Sequence, residues 1–561
     1  SVAASRHPCA NLNQYLANAS FFFSPTYDLT RNLQSHYIDS SPLHSEYPHD
    51  PKYLWNKFML KPLLRFRQSL EPAHRRFLDD TALLVPLIQG YVGSVPMPYI
   101  TEGYGHLCII SRSCSGRTGA RYLTRGLDDM GNVANEVETE VMCLLNHSCY
   151  SFLILRGSVP VFWEQTGLQF SDHKIQLTRS YEATEPAFRL HVQELLQRYR
   201  RVHTVDLLKD RDTGSETMLS QAFRQHILDT HLPQLLPYTH FDFHAMCKGS
   251  NFANVGVLID KISKDLAGYG YCWVDLKSFS VRKQQRGVVR VNCMDCLDRT
   301  NFAQNAISWA VLRQYLSDAL DSRANDRLDI IYREHTQLWV ENGDRLSRLY
   351  AGTGALRSNV LKSGKSTLAG LFQDVTKSVS RFYQNNFQDQ SKQQVMDVLL
   401  GKTAQSRKIE VYIKSFAEIQ QSLEVKKHQF LRSHRLKFFV TTFNVGGNCP
   451  RTPDVEKWLG ASMGDTLPDV YAIGLQEIVD LNVSKMVSTD SSRRIAWEKL
   501  VIRVLGRFTQ QHNETVEEHQ RVQYVTLTSE QLTSACLMLF IKKSLAPHVR
   551  AVETAMKKTG F

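Results

Sequence analysis

A segment near the middle of the chain, RVNCMDCLDRTN from Arg290 to Asn301, constrains the fold more than any other. A short β-branched run, Val288 to Val291, leads into it, which is typical of a buried strand. Apolar residues at helical spacing follow it: Ala303, Ile307, Ala310 and Val311. The pattern predicts a strand, a loop and a helix in succession, so that backbone N–H groups and the helix dipole favour an anion at the loop.

The residue types in this loop suit the cleavage of phosphate esters. Because the same positive field lowers a thiol pKa, we expect Cys293 to be a thiolate near neutral pH, the form that attacks phosphorus. Arg299, six residues later, can hold two phosphate oxygens in a bidentate fork. Asp295 or Asp298 could protonate the leaving oxygen as a general acid, although a role in holding the loop's shape fits each equally well.

Other chemistries remain open for the same loop. A cysteine followed six residues later by arginine occurs by chance about once in twenty cysteines at average composition, and this chain has eleven cysteines. Cys293 and Cys296 could form a zinc knuckle, but no second CxxC or nearby histidine pair completes one. A redox pair or a purely structural loop is also compatible with the spacing. Phosphate cleavage is the leading interpretation.

Four further residues are candidates for substrate binding. Asn292 and Thr300 lie within the loop segment. Arg286 precedes it, and Lys248 follows the segment FDFHAMC. Their positive charges could meet additional phosphates of a lipid headgroup or an anionic membrane surface. A solvated basic face explains Lys248 and Arg286 equally well.

Composition limits the class of protein and its partners. A chain of 561 residues with 42% hydrophobic residues is long enough for two to four globular domains. Its net charge of +12 suits a polyanionic partner, and no recognised nucleic-acid-binding motif is present. No apolar run approaches the length that spans a bilayer, so membrane contact is expected to be peripheral. The eleven cysteines form no regular framework, which favours a reducing, cytoplasmic compartment.

The chain divides into two predicted α/β units. Residues 402–435 are basic, have few turn signals and are interpreted as a partly helical connector. Residues 1–401 precede it with alternating strand-like and helix-like segments. In residues 436–561, three segments are predicted to be strands, LKFFVTTFNV, DVYAIGLQEI and SACLMLFIKK, and WEKLVIRVLGRF is predicted to be an amphipathic helix.

The first unit resembles the Sac family of phosphoinositide phosphatases. RVNCMDCLDRTN is similar to the active-site loop of that family, and five other blocks resemble Sac segments in the expected order: GARYLTRGLDDMGNVANEVETE (119–140), RGSVPVFWEQ (156–165), FDFHAMCKG (241–249), NGDRLSRLYAGTGAL (342–356) and QNNFQDQSKQQVMDVLLG (384–401). The resemblance implies hydrolysis of phosphatidylinositol 4-phosphate and 3-phosphate through a phosphocysteine, without a metal cofactor. The family's N-terminal β-rich subdomain is expected to be missing here.

The second unit resembles the first half of an inositol polyphosphate 5-phosphatase domain, an α/β sandwich. LKFFVTTFNVGG, DVYAIGLQEIVDLN and SEQLTSACLMLFIKKSLAPHVRAV carry the resemblance. It implies that Asn444 and Glu477 help to hold Mg²⁺, and that the intact domain removes the 5-phosphate of phosphatidylinositol 4,5-bisphosphate. Without the resemblance, a turn asparagine and a solvated glutamate would be the commoner readings. The family's later motifs are expected to be missing, which leaves a half sandwich that folds poorly alone.

A Sac domain followed by a 5-phosphatase domain is the arrangement of the synaptojanin family. That arrangement implies work in membrane traffic and endocytosis, at the cytoplasmic face of endocytic or presynaptic membranes. It also implies endocytic protein partners, bound through a tail that is not in this sequence. The alternative is a catalytically silent, phosphoinositide-binding adaptor, since some Sac-like domains keep the fold after losing the cysteine. The presence of Cys293, Arg299 and Thr300 favours the enzyme.

Overall fold

The computed structural model describes most of the chain, with gaps. The described residues are 10–17, 20–38, 49–81, 83–97, 105–121, 124–166, 174–210, 214–248, 254–295, 297–319, 328–352, 392–402, 421–430, 435–448, 452–460, 466–479, 492–514, 516, 521–532, 534–550, 552 and 554. They form two compact units, the first from residues 1–161 and 189–407 and the second from residues 162–188 and 408–561. No helix within the described ranges has the length and apolar character needed to cross a membrane.

The described helices and strands are interspersed along the chain. The helices are α1 (Ala10–Leu16), α2 (Leu33–Ile38), α3 (Lys57–Ser69), α4 (Pro72–Asp80), α5 (Tyr181–Tyr199), α6 (Ser215–Leu228), α7 (Phe243–Met246), α8 (Val255–Tyr269), α9 (Asp298–Ala319), α10 (Leu328–Ala351), α11 (Lys427–Phe430), α12 (Thr452–Leu459) and α13 (Ser492–Asn513). The strands are β1 (Phe21–Phe22), β2 (Ile88–Pro96), β3 (Gly105–Ser113), β4 (Val137–Leu145), β5 (Ser148–Gly157), β6 (Trp163–Thr166), β7 (Lys174–Leu177), β8 (Val202–Asp206), β9 (Tyr238–His240), β10 (Cys272–Asp275), β11 (Ser280–Lys283), β12 (Val288–Asn292), β13 (Phe438–Asn444), β14 (Val470–Gln476), β15 (Tyr524–Leu532) and β16 (Ala535–Lys542). The predicted α/β class is confirmed.

The first unit is built on a mixed sheet in the order β1-β2-β3-β4-β5-β12-β8-β9, with β10 also paired to β5 and β11 paired to β10. Strands β1 to β5 pair with one another in antiparallel fashion, whereas β12 is parallel to both β5 and β8. Every residue of β12 is buried, which explains its β-branched sequence, because a parallel strand between two others is covered on both faces. The strand that precedes Cys293 therefore lies in the interior of the sheet.

The principal core of the first unit covers the sheet face that carries Val289 and Val291. Helices α8 and α9 supply apolar side chains to it, including Leu258, Ile262 and Ile307. Residues of α10 complete the same cluster. The helix predicted after the loop is thus confirmed, and its buried face fixes the point at which the loop turns into α9.

The second unit contains a four-stranded sheet in the order β13-β14-β16-β15. The three predicted strands and the predicted amphipathic helix α13 are confirmed, while the sequence analysis missed β15. The apolar residues of α13 pack on one face of the sheet. On the edge strand β13, Phe438 and Val440 are 58% and 70% exposed on the opposite face.

Candidate active site

The loop after β12 lies at the carboxyl ends of three parallel strands. Asn292, the last residue of β12, is in register with Gly157 of β5 and Asp206 of β8. In open α/β sheets, ligands bind at this edge, where the loops that follow the strands converge. The next helix, α9, begins at Asp298. The predicted strand–loop–helix is confirmed, and its position is that of an anion-binding loop.

Cys293 is buried at the start of this loop, with 3% of its surface exposed. Burial raises the pKa of its thiol above the ordinary value, although the nearby charge of Arg299 acts to lower it. This direction is opposite to the pKa shift predicted from the loop alone, because removal from water disfavours the charged form more than the arginine favours it. Cys296, the second cysteine of the motif, lies outside the described residues.

Arg299 lies in the first turn of α9 and contacts a carboxylate that the sequence analysis missed. Its Nη1 and Nη2 donate to Glu216 Oε2 and Oε1 at 3.4 and 3.2 Å. Glu216 is in the first turn of α6 and also accepts from the backbone N–H of Lys209. Since Glu216 takes the Nη1–Nη2 edge of the guanidinium, the Nε edge points elsewhere and can serve a second anion.

Asp295 is held by two arginines rather than placed as an acid. Arg121 donates to both of its carboxylate oxygens, through Nε at 2.9 Å and through Nη2. Arg125 Nη1 donates to Asp295 Oδ1 at 2.8 Å and to the Met294 carbonyl at 3.1 Å. Burial alone would raise the pKa of Asp295, but the two guanidinium charges lower it well below the usual range. This ionised carboxylate has no proton to give, so Asp295 is corrected to a loop-holding residue.

The residues that hold Asp295 come from the block at 119–140. Asn135 joins Arg121 and Arg125 there, since its Nδ2 donates to the Asp295 carbonyl at 3.1 Å. In the sequence, this block stands out only through its resemblance to a Sac segment. The signal that could have identified Arg121 and Arg125 is that two arginines occur close together in a block that resembles the same family as the aspartate-containing loop.

Asp298 and two polar residues that flank the loop, Asn292 of β12 and Thr300 of α9, occupy positions that suit a ligand. Asp298 is the first residue of α9, one position before Arg299. Thr300 and Asn292 are fully buried. Within the described ranges, Thr300 Oγ1 and Asn292 Nδ2 have no hydrogen-bond partner, whereas Asn292 Oδ1 accepts from Arg290. A buried polar atom without a partner is costly, so a bound phosphate oxygen or water would stabilise both.

The two predicted basic residues outside the loop, Arg286 and Lys248, differ in their position relative to the Cys293 loop. Arg286 precedes the amino end of β12 and lies seven residues before Cys293. At the rise of an extended strand, that separation is roughly 20 Å, so Arg286 is excluded from the loop end of the sheet. Lys248 is exposed and directly follows Cys247, which shares the principal core with Cys293. Arg286 is close to Cys293 in the sequence but not in space, because the extended strand β12 lies between the two residues.

In the second unit, the structure brings the two predicted metal ligands together. Strands β13 and β14 are parallel, so Asn444 and Glu477 emerge at the same edge of the sheet. Asn444 Nδ2 donates to Glu477 Oε1 at 2.9 Å, and Asn444 Oδ1 accepts from the Gly446 N–H at 3.0 Å. Glu477 has a positive φ of 53°, which is uncommon for a residue with a side chain.

Both side chains of this pair are exposed, and their oxygens are of the kind that Mg²⁺ prefers. Across the described ranges, no three histidine, cysteine, aspartate or glutamate side chains gather into a metal-binding group. The pair thus fits part of a magnesium coordination shell, and further ligands would have to come from water, substrate or other residues.

Comparison with known proteins gives two matching families. Residues 3–248 match the SacI homology domain, and residues 441–561 match the endonuclease/exonuclease/phosphatase family 2. The first match ends before the Cys293 loop, but the relatives described next align across it.

Three curated relatives cover most or all of the chain. Polyphosphatidylinositol phosphatase INP53 of Saccharomyces cerevisiae is 35% identical over 100% of this chain and 49% of its own length. Inositol-1,4,5-trisphosphate 5-phosphatase 1 of Schizosaccharomyces pombe is 37% identical over 99% of the chain and 50% of its own length. Human synaptojanin-1 is 32% identical over 82% of the chain and 30% of its own length. The chain therefore spans about half the length, or less, of the curated relatives it matches.

Proposed function

We propose that this chain, which belongs to the SacI homology proteins related to synaptojanin, hydrolyses phosphatidylinositol 4-phosphate and 3-phosphate at Cys293. The observation that carries the proposal is the placement of Cys293 and Arg299 on one loop at the carboxyl ends of parallel strands. A nucleophile, an arginine and a helix start that all face one anion position are what phosphoryl transfer to a thiolate requires.

The reaction takes place in two steps on the chain's own residues. Cys293 first loses its thiol proton to solvent, and the thiolate Sγ then attacks phosphorus in line, so that an S–P bond forms and the bond from phosphorus to the inositol oxygen breaks. The departing oxygen takes a proton from a general acid. Water then gives a proton to the same carboxylate, which now acts as a base, while its oxygen attacks phosphorus and the S–P bond breaks. This releases inorganic phosphate and restores the thiolate.

Asp298 is the better candidate for the general acid. Asp295 is ionised and committed to Arg121 and Arg125, whereas Asp298 lies at the loop's exit beside Arg299. Asp295 instead holds the loop between Cys293 and α9 by tying it to the block at 119–140. The two aspartates of the motif thus have different roles.

Glu216 acts as a positioning residue for Arg299. By binding the Nη1–Nη2 edge, it orients the guanidinium before substrate arrives, which reduces the ordering needed on binding. The fork that remains binds the equatorial phosphate oxygens. Glu216 also acts to raise the Cys293 pKa, so the same carboxylate affects both clamp and nucleophile.

In an intact 5-phosphatase domain, Asn444 and Glu477 would contribute to a Mg²⁺ site for removal of the 5-phosphate from phosphatidylinositol 4,5-bisphosphate. When bound, Mg²⁺ would neutralise charge that develops on the phosphate. The hydrogen bond between the two side chains keeps their oxygens at one edge of the sheet. Work at the cytoplasmic face of endocytic membranes, with endocytic protein partners, follows as part of the same proposal.

Phosphate release from each monophosphorylated phosphoinositide in vesicles tests the proposal, with wild-type chain and a Cys293→Ser variant in parallel. We expect release from the 4-phosphate and 3-phosphate lipids by wild type alone. No release by wild type, together with retained binding to phosphoinositide vesicles, would instead identify a catalytically silent adaptor.

A further inference from the structure

A buried carboxylate, Asp206, lies next to the candidate active site but takes no part in the proposed reaction. It is the last residue of β8, is in register with Asn292 of β12 and is fully buried. The backbone N–H of Leu207, the following residue, donates to the Asn292 carbonyl at 3.0 Å. The end of β8 is thus bonded to the residue that directly precedes Cys293.

Three groups donate hydrogen bonds to the side chain of Asp206. Its Oδ1 accepts from the backbone N–H of Leu208 at 3.1 Å. Its Oδ2 accepts from Ser220 Oγ at 2.6 Å and from the Tyr238 hydroxyl at 2.8 Å. Burial raises the pKa of the Asp206 carboxyl, whereas the hydrogen bonds act to lower it. Because hydrogen bonds to a carboxylate are stronger than those between neutral groups, Asp206 fixes both hydroxyls relative to β8.

Ser220 connects this carboxylate to the helix that carries Glu216. Both residues lie on α6, and their spacing of four residues places them on one side of the helix. Glu216 accepts from Arg299 at 3.4 and 3.2 Å and from the Lys209 backbone N–H at 3.2 Å. The hydrogen bond from Ser220 limits sliding and rotation of α6 one turn from Glu216. It therefore helps to set where the Arg299 guanidinium is held.

Tyr238 reaches the same carboxylate oxygen from a different element. It belongs to β9, and its ring packs edge-on against Phe223 of α6, with 5.9 Å between the ring centroids. Replacing tyrosine by phenylalanine would remove the hydroxyl and leave this ring contact in place. Tyr238 and Ser220 thus make the same kind of bond to Asp206, but only Ser220 lies one turn from Glu216.

We propose that Asp206 is a positioning residue for the arginine that binds phosphate. Through Ser220 it fixes α6, and α6 in turn holds Glu216 against Arg299. The backbone bond to Asn292 sets this arrangement relative to the nucleophile loop. A guanidinium that is already oriented loses less freedom when an anion binds, so the benefit is preorganisation. The inference rests on the proposed function in its assignment of Arg299 to phosphate.

The test compares two variants that each remove one donor to Asp206 Oδ2. Ser220→Ala removes the contact from α6, and Tyr238→Phe, the matched control, removes the contact from β9. Binding of inorganic phosphate is measured by isothermal titration calorimetry, and kcat/KM is measured on a soluble short-chain phosphatidylinositol 4-phosphate. Asp206→Asn alters the carboxylate itself and should resemble Ser220→Ala. The comparison of the two donors remains decisive if Asp206→Asn does not fold.

We expect Ser220→Ala to weaken phosphate binding and to lower kcat/KM, each by roughly 10-fold, because a small displacement of a positioning contact is costly. Tyr238→Phe should change each quantity by less than about threefold, since α6 keeps its bond to Asp206. Each variant loses one hydrogen bond, so both should lower the midpoint of thermal unfolding to a similar degree. A purely structural role would show in stability without separating the two variants in phosphate binding.

A second measurement tests the route through Glu216. When Glu216→Gln is already present, adding Ser220→Ala should weaken phosphate binding by less than about twofold further, because the carboxylate that Ser220 positions is gone. If Ser220 acted on the fold in general, the two losses would instead multiply. The comparison uses phosphate alone and does not depend on turnover.

Three results would overturn the assignment. They are equal losses of phosphate binding in Ser220→Ala and Tyr238→Phe, phosphate binding by Ser220→Ala equal to wild type, and independent effects of Ser220→Ala and Glu216→Gln. Phosphate binding that follows the expected pattern, without hydrolysis of any lipid by wild type, would support the role of Asp206 while refuting the proposed function. Absence of both phosphate binding and hydrolysis in wild type would refute both.

Discussion

The Cys293 loop and the Asn444–Glu477 pair are both placed at the ends of parallel strands, but their surroundings differ. Cys293 is almost fully buried, and its charged neighbours come from distant parts of the first unit. Asn444 and Glu477 are exposed and come from adjacent strands. The carboxyl ends of parallel strands can therefore hold a buried site, whose pKa values depend on burial, or a site that is open to water.

The difference determines what each site needs from outside the chain. In the buried loop, fixed arginines and backbone N–H groups supply positive charge in a low dielectric, where each counts more than in water. In the exposed pair, water screens the charges, and on the proposed function the two side chains would act only through a bound cation. Metal dependence should therefore separate the two sites.

The largest expected effect is loss of the nucleophile. Cys293→Ser should reduce phosphate release by a factor on the order of 10⁴ to 10⁶, because an alcohol in the same place is not ionised. Thermal unfolding should change little, since the hydroxyl fills nearly the same volume. Cys296→Ser is the matched control and should remain close to wild type; an equal loss in both variants would point to a redox or metal pair.

Replacing each of the two aspartates by asparagine should affect activity and stability differently. Asp298→Asn should lower kcat by about 10²- to 10⁴-fold, the usual contribution of a general acid, with little change in stability. Asp295→Asn should instead lower the free energy of unfolding by about 3 kcal/mol, because Arg125 stays buried without its counter-charge. Urea unfolding and pre-steady-state kinetics on both variants measure this contrast, and a reversed pattern would exchange their roles.

A smaller effect is expected at Glu216, with a pH signature. Glu216→Gln should lower kcat/KM by about 10- to 100-fold, since Arg299 loses its orienting partner. Its charge contributes to the raised pKa of Cys293, so removing it should lower that pKa. Because the thiolate is the reactive form, the rising limb of the pH–rate profile should move to lower pH. An unchanged profile would contradict the link between Glu216 and the thiol.

The smallest expected effect is that of metal removal on the first site. Chelation should leave release of the 4-phosphate unchanged, because no step at Cys293 uses a cation. The comparison with and without Mg²⁺ is made on vesicles of phosphatidylinositol 4-phosphate, with Cys293→Ser as the blank. Metal-stimulated, Cys293-dependent release would remove the contrast between the two sites.

Local sequence patterns predicted the secondary structure around both candidate sites. The β-branched run before Cys293 and the apolar spacing after Thr300 were sufficient for the strand, loop and helix. Only the family resemblance placed Asn444 and Glu477 at one site. In the structure, Asn444 ends β13 and Glu477 directly follows β14. Their separation of 33 residues along the chain did not matter once both strands were parallel neighbours.

Properties that depend on tertiary packing could not be predicted. Burial of Cys293 reverses the pKa shift expected from the loop alone, and burial is not visible in a short motif. Glu216 lies 83 residues before Arg299, with no spacing rule to connect them. Arg286 is the opposite case. It is only seven residues from Cys293, but an extended strand keeps residues at that spacing far apart in space.

Strand β13 affects the tendency of the chain to self-associate in solution. It lies at the edge of its sheet, pairs with β14 on one side, and exposes Phe438 and Val440. An apolar edge strand offers unpaired backbone groups to any other strand, including the same segment of another copy. Among the described residues, the strand that ends at Asn444 thus also presents an apolar edge, so the position of Asn444 and the colloidal stability of the chain depend on the same seven residues.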